Sequence, residues 1–567
     1  MTQLPDPDRG DMERRAILAA ALAVIVLLAY QAFFAPAPPP SEPKTEPKKE
    51  AVQEKRAAKA LAPEPQARTP RLPGTPRRGE REEAITLETD LLKVVLINRG
   101  GGITSWQLKK YQEQSGFVDL VGLLPDRSPA TPIGAWVEGG EGRQGLYRIV
   151  ERPAPDPTKP QRVVMEFQEA SGIVLEKTLV LHPGRYLADV ELRLINVGGG
   201  TTRGALRVEW GPGFRLGTSD RGVDTPIPAA WIDGKLVKPD LGKLEQELVQ
   251  PGTVSWTAIE DRYFAVALMP GEAGPSSVVR KDAEGRPVVG LVYPPVKIPP
   301  GGEAGFALKL FAGPKEIERL REAGHDLQKL VDLGWFDFLA RPALYFLRFI
   351  HDFTGNYGVA IIIITILQKI AFYPLTQKSH KSMQAMQAMQ PKIQAIKERY
   401  KNNPQKVNQE TMELYKRHGV NPMGGCLPML IQIPIFIALY NALASSVELW
   451  RAPFALWIDD LSVADTLFVV PFAIPYVGEA FAVRGLPVIM GISMFIQQKM
   501  SPMGGDPRQA QMMLYIMPVM FTFIFWGMPS GLVLYWLVNN VLQIGHQYRM
   551  NRGLGLSVGA GAGKEGR

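Results

Sequence analysis

Cysteine is almost absent from this chain. Cys426 is the only one in 567 residues, so no internal disulfide can form, whichever compartment a domain occupies. Its neighbours Gly424, Gly425, Leu427 and Pro428 read as a helix start, with Cys426 as a small buried residue. Histidine is nearly as scarce. Of the six, His182 is the only one between residues 85 and 313, and no cluster with metal-ligand spacing surrounds it. No metal or other cofactor is expected. A phosphate loop is missing too. The tail 559–567, GAGAGKEGR, lacks the G-x-x-x-x-G-K-[ST] spacing, and Glu565 follows its lysine. Between residues 36 and 81 large apolar side chains almost vanish. That stretch of Pro, Lys, Glu, Ala and Arg cannot bury enough surface to offset chain entropy, and it reads as an extended, charged tether.

Long apolar runs are few and unevenly placed. One occupies residues 16–34, and the others crowd between 356 and 548. Mean hydropathy is only -0.05, so the polar sequence between must form a sizeable domain. The formal charge of +8 does not require nucleic acid. Lys and Arg held on the cytoplasmic side of a membrane, near anionic lipid, account for it.

Residues 16–34 carry no charge and have the length that crosses a bilayer. A cleaved signal peptide is the rival reading, with Ala35 and Ala37 as a cleavage-like site. Pro36 and Pro38 disfavour cleavage, and a retained anchor is the preferred reading. Arg9, Arg14 and Arg15 place residues 1–15 in the cytoplasm.

From 84 to 330 the pattern changes to short strands. Residues 91–97, 162–167, 186–192, 205–210 and 306–311 carry strand signals, punctuated by Gly198-Gly199-Gly200 and Pro299-Pro300-Gly301-Gly302. Many short strands with such turns indicate a β-sandwich. Residues 315–330 read as one closing helix, with Ile317, Leu320, Leu327 and Leu330 on one face. Asp261-Arg262-Tyr263 reads as a surface ion pair at a strand edge or, less simply, the lining of a site.

Residues 331–355 form an amphipathic, interfacial helix, with Asp337, Arg341, Arg348 and Asp352 on one face and aromatic residues on the other. Five spans follow within 356–550, at 356–375, 424–447, 487–500, 512–528 and 532–548. Residues 468–483 read as a re-entrant or interfacial piece. The loop 377–423 holds nine Lys or Arg, whereas 448–486 holds only Arg451 and Arg484. That asymmetry puts 377–423 in the cytoplasm, as a helical hairpin turning at Asn402-Asn403-Pro404. Met383, Met386 and Met389 make a stripe at its base that packs on the core or meets apolar partners. Residues 551–567 form a flexible basic tail. The fold class is thus a polytopic α-helical membrane protein, an N-terminal anchor plus a five-helix core, with a large periplasmic β-sandwich domain.

Lys369 sits inside the second span. It either snorkels, being about 9 Å of helix rise from the span's end, or faces a wet cavity. An unpaired charge at depth costs about 3 kcal/mol or more. Thr365 and Gln368 adjoin it, and Gln432, Gln497, Gln498, Asn539 and Asn540 add polar groups on other spans. An intramembrane protease would need Ser493 and His546, which lack any supporting motif. A small-solute transporter would show repeated halves, and none is visible.

Four stretches carry a resemblance. Residues 358–376 (GVAIIIITILQKIAFYPLT), 421–440 (NPMGGCLPMLIQIPIFIALY), 447–461 (VELWRAPFALWIDDL) and 529–535 (PSGLVLY) closely resemble the YidC/Oxa1/Alb3 membrane insertases. The external domain and anchor resemble the family's Gram-negative form. The resemblance implies a non-enzymatic insertase and chaperone in the bacterial inner membrane. Nascent membrane proteins would be its substrates, alone or with the Sec translocon, in contact with membrane lipids. The ribosome is an expected partner through the cytoplasmic hairpin and basic tail. The resemblance also implies a hydrated, cytoplasm-open groove whose cation, usually arginine, falls at Lys369. Thr365, Tyr535 and Trp536 would contact substrate beside Gln368 and Gln432, with Trp536 standing where the family often has tyrosine.

Overall fold

The structure, a computed structural model, describes residues 77–553, apart from 114–115, 122–131, 212–213, 215–225, 272–273, 402, 421–426, 471–480 and 501–506. The anchor 16–34, most of the linker 35–83, Cys426 and the tail beyond 553 lie outside the described residues.

The strand-rich region forms three principal antiparallel sheets. The largest runs, in spatial order, Lys235–Val237, Ile227–Ile232, Val254–Glu260, Phe264–Pro270, Glu303–Pro314, Leu187–Asn196, Ile173–Leu181, Gln161–Gln168 and Arg148–Glu151. A five-stranded sheet runs Leu248–Gln250, Ser276–Lys281, Pro287–Val292, Leu206–Trp210 and Gly134–Val137. A four-stranded meander spans Ala84–Glu88 through Gly116–Asp119. Period-two sequence produces half-buried strands: Leu92, Val94 and Leu96 are buried, while Lys93, Val95 and Ile97 are partly exposed. Phe264–Pro270 (FAVALMP) does not alternate and is buried at every position, as a strand covered on both faces requires.

Polar contacts tie the layers together. Ser277 Oγ donates to Thr257 Oγ1 at 3.0 Å between the five- and nine-stranded sheets. Trp106 of the meander donates through Nε1 to Ala312 O at 3.0 Å and meets Trp210 edge-on, 6.3 Å between centroids. Lys177 is fully buried in this sandwich, where its ammonium donates to the backbone carbonyls of Gly101 and Ile133. Desolvation pulls its pKa from 10.5 down to about 7.

The closing helix is shorter than its sequence indicates. Helix α1, Ile317–Ala323, stops at Gly324, and a separate 3-10 turn covers Leu327–Leu330. Gly324, His325 and Asp326 all take positive φ (79°, 54° and 58°), which no right-handed helix accommodates. The apolar face survives the break, because Ile317, Leu320, Leu327 and Leu330 all remain buried.

The helical region follows. Helix α2 (Asp337–Thr354) buries Ala340, Leu344, Leu347 and Ile350, and Gly355 ends it in the left-handed conformation. Its aromatic face is open: Phe338, Phe346, Phe349 and Phe353 are all exposed, as is Trp335 in the 3-10 turn Gly334–Phe336 before it, so the helix is shorter than the expected 331–355. Helix α3 (Tyr357–Ala388) starts at Asn356, whose side chain accepts from Val359 N. It runs through Pro374 and three turns beyond residue 375, so 377–388 continues the helix and is not loop. Among the described residues α3 alone is long and apolar enough to cross a membrane, while Ile431–Ser445 and Leu514–Gly527 are shorter apolar helices. Helices α4 (Gln390–Arg399) and α5 (Pro404–Arg417) form the hairpin, with Asn403 capping α5 by accepting from Lys406 N. Then come α6 (Leu427–Ser445), α7 (Gly485–Met500), α8 (Pro507–Ile524) and α9 (Ser530–Gly553). Between α6 and α7, Phe468–Val470 pairs with Phe481–Val483, and the intervening residues lie outside the described set.

Strand and helical regions share one core. Trp450 meets Tyr263 and Phe264 edge-on at 4.8 and 5.5 Å, and Tyr263 donates to Ser462 O at 3.4 Å. Asp261-Arg262-Tyr263 therefore serves this seam. Asp261 Oδ1 accepts from Tyr263 N (2.8 Å) and Phe264 N (2.7 Å), which shapes the turn that presents both rings.

Candidate functional site

Helix α3 delivers three of the expected residues. Thr365, Gln368 and Lys369 stand at i, i+3 and i+4, so they share one broad face of the helix, with Thr365 one turn deeper. Gln368 and Lys369 line a recess of about 340 Å³, part of it open to solvent, together with Phe372, Leu375, Thr376, Ile431, Gln432 and Ile435. One wall is α3 and the other is α6. The helix α9 side adds two polar contacts: Tyr535 Oη donates to Gln368 Oε1 at 3.2 Å, and Gln432 Nε2 donates to Asn539 Oδ1 at 3.4 Å.

Lys369 is partly buried and makes no ion pair among the described residues. Its ammonium donates to Gln543 Oε1 of α9 at 3.2 Å. Gln543 in turn meets His380 Nε2 through its amide nitrogen at 2.7 Å. His380 is buried, and its ring lies 5.1 Å from that of His546, which Tyr373 meets at 5.2 Å.

Two expected residues stand apart from the recess. Thr365 is wholly buried and its hydroxyl donates to Ile361 O at 2.6 Å, on its own helix. Trp536 packs among Phe436, Phe521 and Phe525, at 4.9, 5.8 and 5.3 Å between centroids. Tyr535 and Trp536 are neighbours in sequence, and a helix sends neighbours about 100° apart, which explains why only one reaches Gln368. Gln543 and His380 were not among the residues the sequence singled out. Their signal was present: Asn539, Gln543 and Gln547 recur every four residues as a polar stripe on an apolar helix, and a polar stripe at that spacing faces one neighbour.

Of the polar groups on other spans, several make ordinary interhelical bonds. Asn540 Nδ2 donates to Ser493 Oγ at 3.0 Å, and Ser493 donates to Met490 O at 2.6 Å. The hydroxyl of Ser493 is thus engaged, and no hydrogen bond joins it to His546 among the described residues. No group of three or more His, Cys, Asp or Glu arranged to hold a metal occurs among the described residues. The recess offers a cation and amides, groups that attract and solvate a polar chain, and the Tyr535 phenol supports Gln368 from behind.

Comparison with known proteins agrees with this architecture. Residues 349–555 match the family described as 60Kd inner membrane protein, and residues 84–346 match the YidC periplasmic domain. The membrane protein insertase YidC of Geotalea daltonii is 36% identical over 96% of this chain and 100% of its own length. That of Syntrophus aciditrophicus is 37% identical over 95% and 100%. A solved structure described as an active YidC insertase with its first transmembrane domain resolved aligns with 83% of this chain and 94% of its own, at 21% identity and a TM-score of 0.36. On the full-length identity and both family matches, the chain belongs to the YidC family of membrane protein insertases.

Proposed function

We propose that this chain inserts and folds membrane proteins by lowering the cost of carrying a polar segment partway through the bilayer. The observation that carries the reading is Lys369: a cation within the longest apolar helix, in a partly open recess, with amide neighbours and no carboxylate partner among the described residues. A buried charge is costly and persists where it has work to do. Here Lys369 attracts the acidic or polar external part of a substrate, while Gln368, Gln432 and Tyr535 stand in for water. The apolar segment then leaves over the exposed Ile366, Leu367 and Ile370 of α3 into lipid. Burying a span of about 20 residues supplies the driving force, and no nucleotide is required.

In this reading the chain is a multi-pass protein of the bacterial inner membrane. It has six spans, both termini in the cytoplasm and the β-rich domain in the periplasm. The aromatic face of α2 lies in the interface, where an amphipathic ring belt is stable. The α4–α5 hairpin and basic tail face the ribosome, and the Sec translocon is the partner for larger substrates.

Lysine in place of the family's usual arginine keeps the charge and loses the planar five-donor fork, so a point attraction survives and bidentate holding does not. Complementation of cells depleted of their native insertase tests this. Lys369→Arg supports growth and Lys369→Glu loses most of it. Full complementation by Lys369→Glu removes the groove-cation argument.

A further inference from the structure

Lys369 and His380 lie eleven residues apart on α3, which is about 16 Å of helix. A single amide, that of Gln543, nevertheless touches both, at 3.2 and 2.7 Å. The bridge closes only because the two side chains lean toward each other. The Lys369 ammonium is therefore drawn along the helix toward its Ala388 end, and Gln543 is what stops it there. The two readings of Lys369, snorkelling or facing a cavity, become one: the side chain extends along the recess and is caught before it leaves.

The hydrogen-bond directions follow from chemistry alone. An ammonium has three donors and no acceptor, so Gln543 must turn its carbonyl oxygen to Lys369. Its NH₂ then faces His380, and His380 Nε2 must accept. That requires a neutral imidazole with its proton on Nδ1. Were His380 to present an N–H instead, the amide would rotate and set its own NH₂ against the ammonium. Around the pair stand His546 and Tyr373 as further titratable groups, with Arg549 one turn beyond on α9.

We propose that Gln543, oriented by a neutral His380, is a positioning residue that fixes the Lys369 ammonium in the recess and so sets the preference for acidic substrate segments. The inference rests on Lys369 being the groove cation. Gln543 itself touches no substrate in this account.

The test uses the full chain reconstituted in vesicles and two single-span substrates that differ only in an acidic or a neutral translocated tail. The readout is the ratio of their insertion rates at limiting substrate. One charge-assisted hydrogen bond predicts that Gln543→Leu lowers this ratio about tenfold. His380→Leu lowers it in the same direction, and His380→Gln, which restores a carbonyl acceptor, recovers it. The rate at saturating substrate falls less than the ratio does. Variants are compared only where their melting temperatures match the parent, and His380→Gln serves as the conservative partner if His380→Leu does not fold. An unchanged ratio in Gln543→Leu overturns the inference while a failing Lys369→Glu leaves the groove cation standing. A Lys369→Glu protein that inserts the acidic tail at the parental rate overturns both.

Discussion

Lys177→Met should change how the stability of the external domain responds to pH. In the folded protein Lys177 is fully buried and desolvation lowers its pKa to about 7, against 10.5 when unfolded. A depressed lysine pKa means that the unfolded chain binds more protons between these two values. Stability must therefore rise as pH rises from about 7 toward 10.5, and the penalty is fully present below pH 7. At pH 7 the folded lysine is half protonated and the unfolded one almost wholly so. Integrating between pH 7 and pH 9 gives a gain of about 2 kcal/mol from this one residue. Tyrosines of the domain titrate in the opposite sense at higher pH, since burial raises the pKa of Tyr111, Tyr147, Tyr186 and Tyr263. They are common to parent and variant, so the difference between the two proteins isolates Lys177. Methionine leaves the Gly101 and Ile133 carbonyls without their donor, a fixed cost that does not vary with pH. Denaturant unfolding of the purified full-length protein at pH 7 and pH 9, followed by tryptophan fluorescence, measures both. The parent should gain about 2 kcal/mol relative to Lys177→Met over that interval. A difference between the two proteins that is the same at both pH values refutes the buried, depressed lysine.

Two further outcomes follow from the seams of the fold. Trp450→Ala removes the ring that joins Tyr263 and Phe264 to the helical region, at a cost of about 3 kcal/mol. Limited proteolysis should then cut the connection around residues 331–336 faster, and an unchanged digestion pattern contradicts the seam. Asp465 Oδ2 accepts from Trp457 Nε1 (2.9 Å), Gly485 N (2.7 Å) and Leu486 N (2.9 Å), which caps α7. Asp465→Ala should destabilise by about 2 kcal/mol and Asp465→Asn should recover part of it, as read by thermal unfolding in detergent. Equal melting temperatures for Asp465→Ala and the parent would remove the cap from the account.

Local chemistry made much of the fold readable. Alternation at 92–97 and 187–192 marked strands because one face of each meets the core. Asn402-Asn403-Pro404 marked the turn of the hairpin, and α5 does begin at Pro404. What escaped were features decided by neighbours distant in sequence. The spatial order of the nine-stranded sheet brings Glu303–Pro314 beside Leu187–Asn196, which no local pattern encodes. Pro374 looked like the end of a span, yet α3 continues through it for fourteen residues. Asp261 reads as half of an ion pair, and the role its carboxylate plays in its own turn is not legible in the sequence.

The candidate site divides the same way. Lys369 was conspicuous because a lone charge in an apolar run is costly, and Gln368 and Gln432 stood near it in a plausible geometry. Gln543 and His380 were passed over because the contact that matters joins residues 174 and 163 positions apart. The resemblance makes Thr365 and Trp536 substrate contacts, and the partner each side chain takes is set by packing that no local pattern encodes. Thr365 turns back on Ile361, and Trp536 lies among phenyl rings.

Insertion by the purified protein alone tests the central claim most directly. Liposomes containing only this chain receive a small single-span substrate translated without Sec components, and protease protection scores its translocated tail. Protection well above that of empty liposomes, retained by Lys369→Arg and largely lost by Lys369→Glu, is the predicted result. Protection no greater than in empty liposomes, from correctly folded protein, contradicts autonomous insertion through the recess.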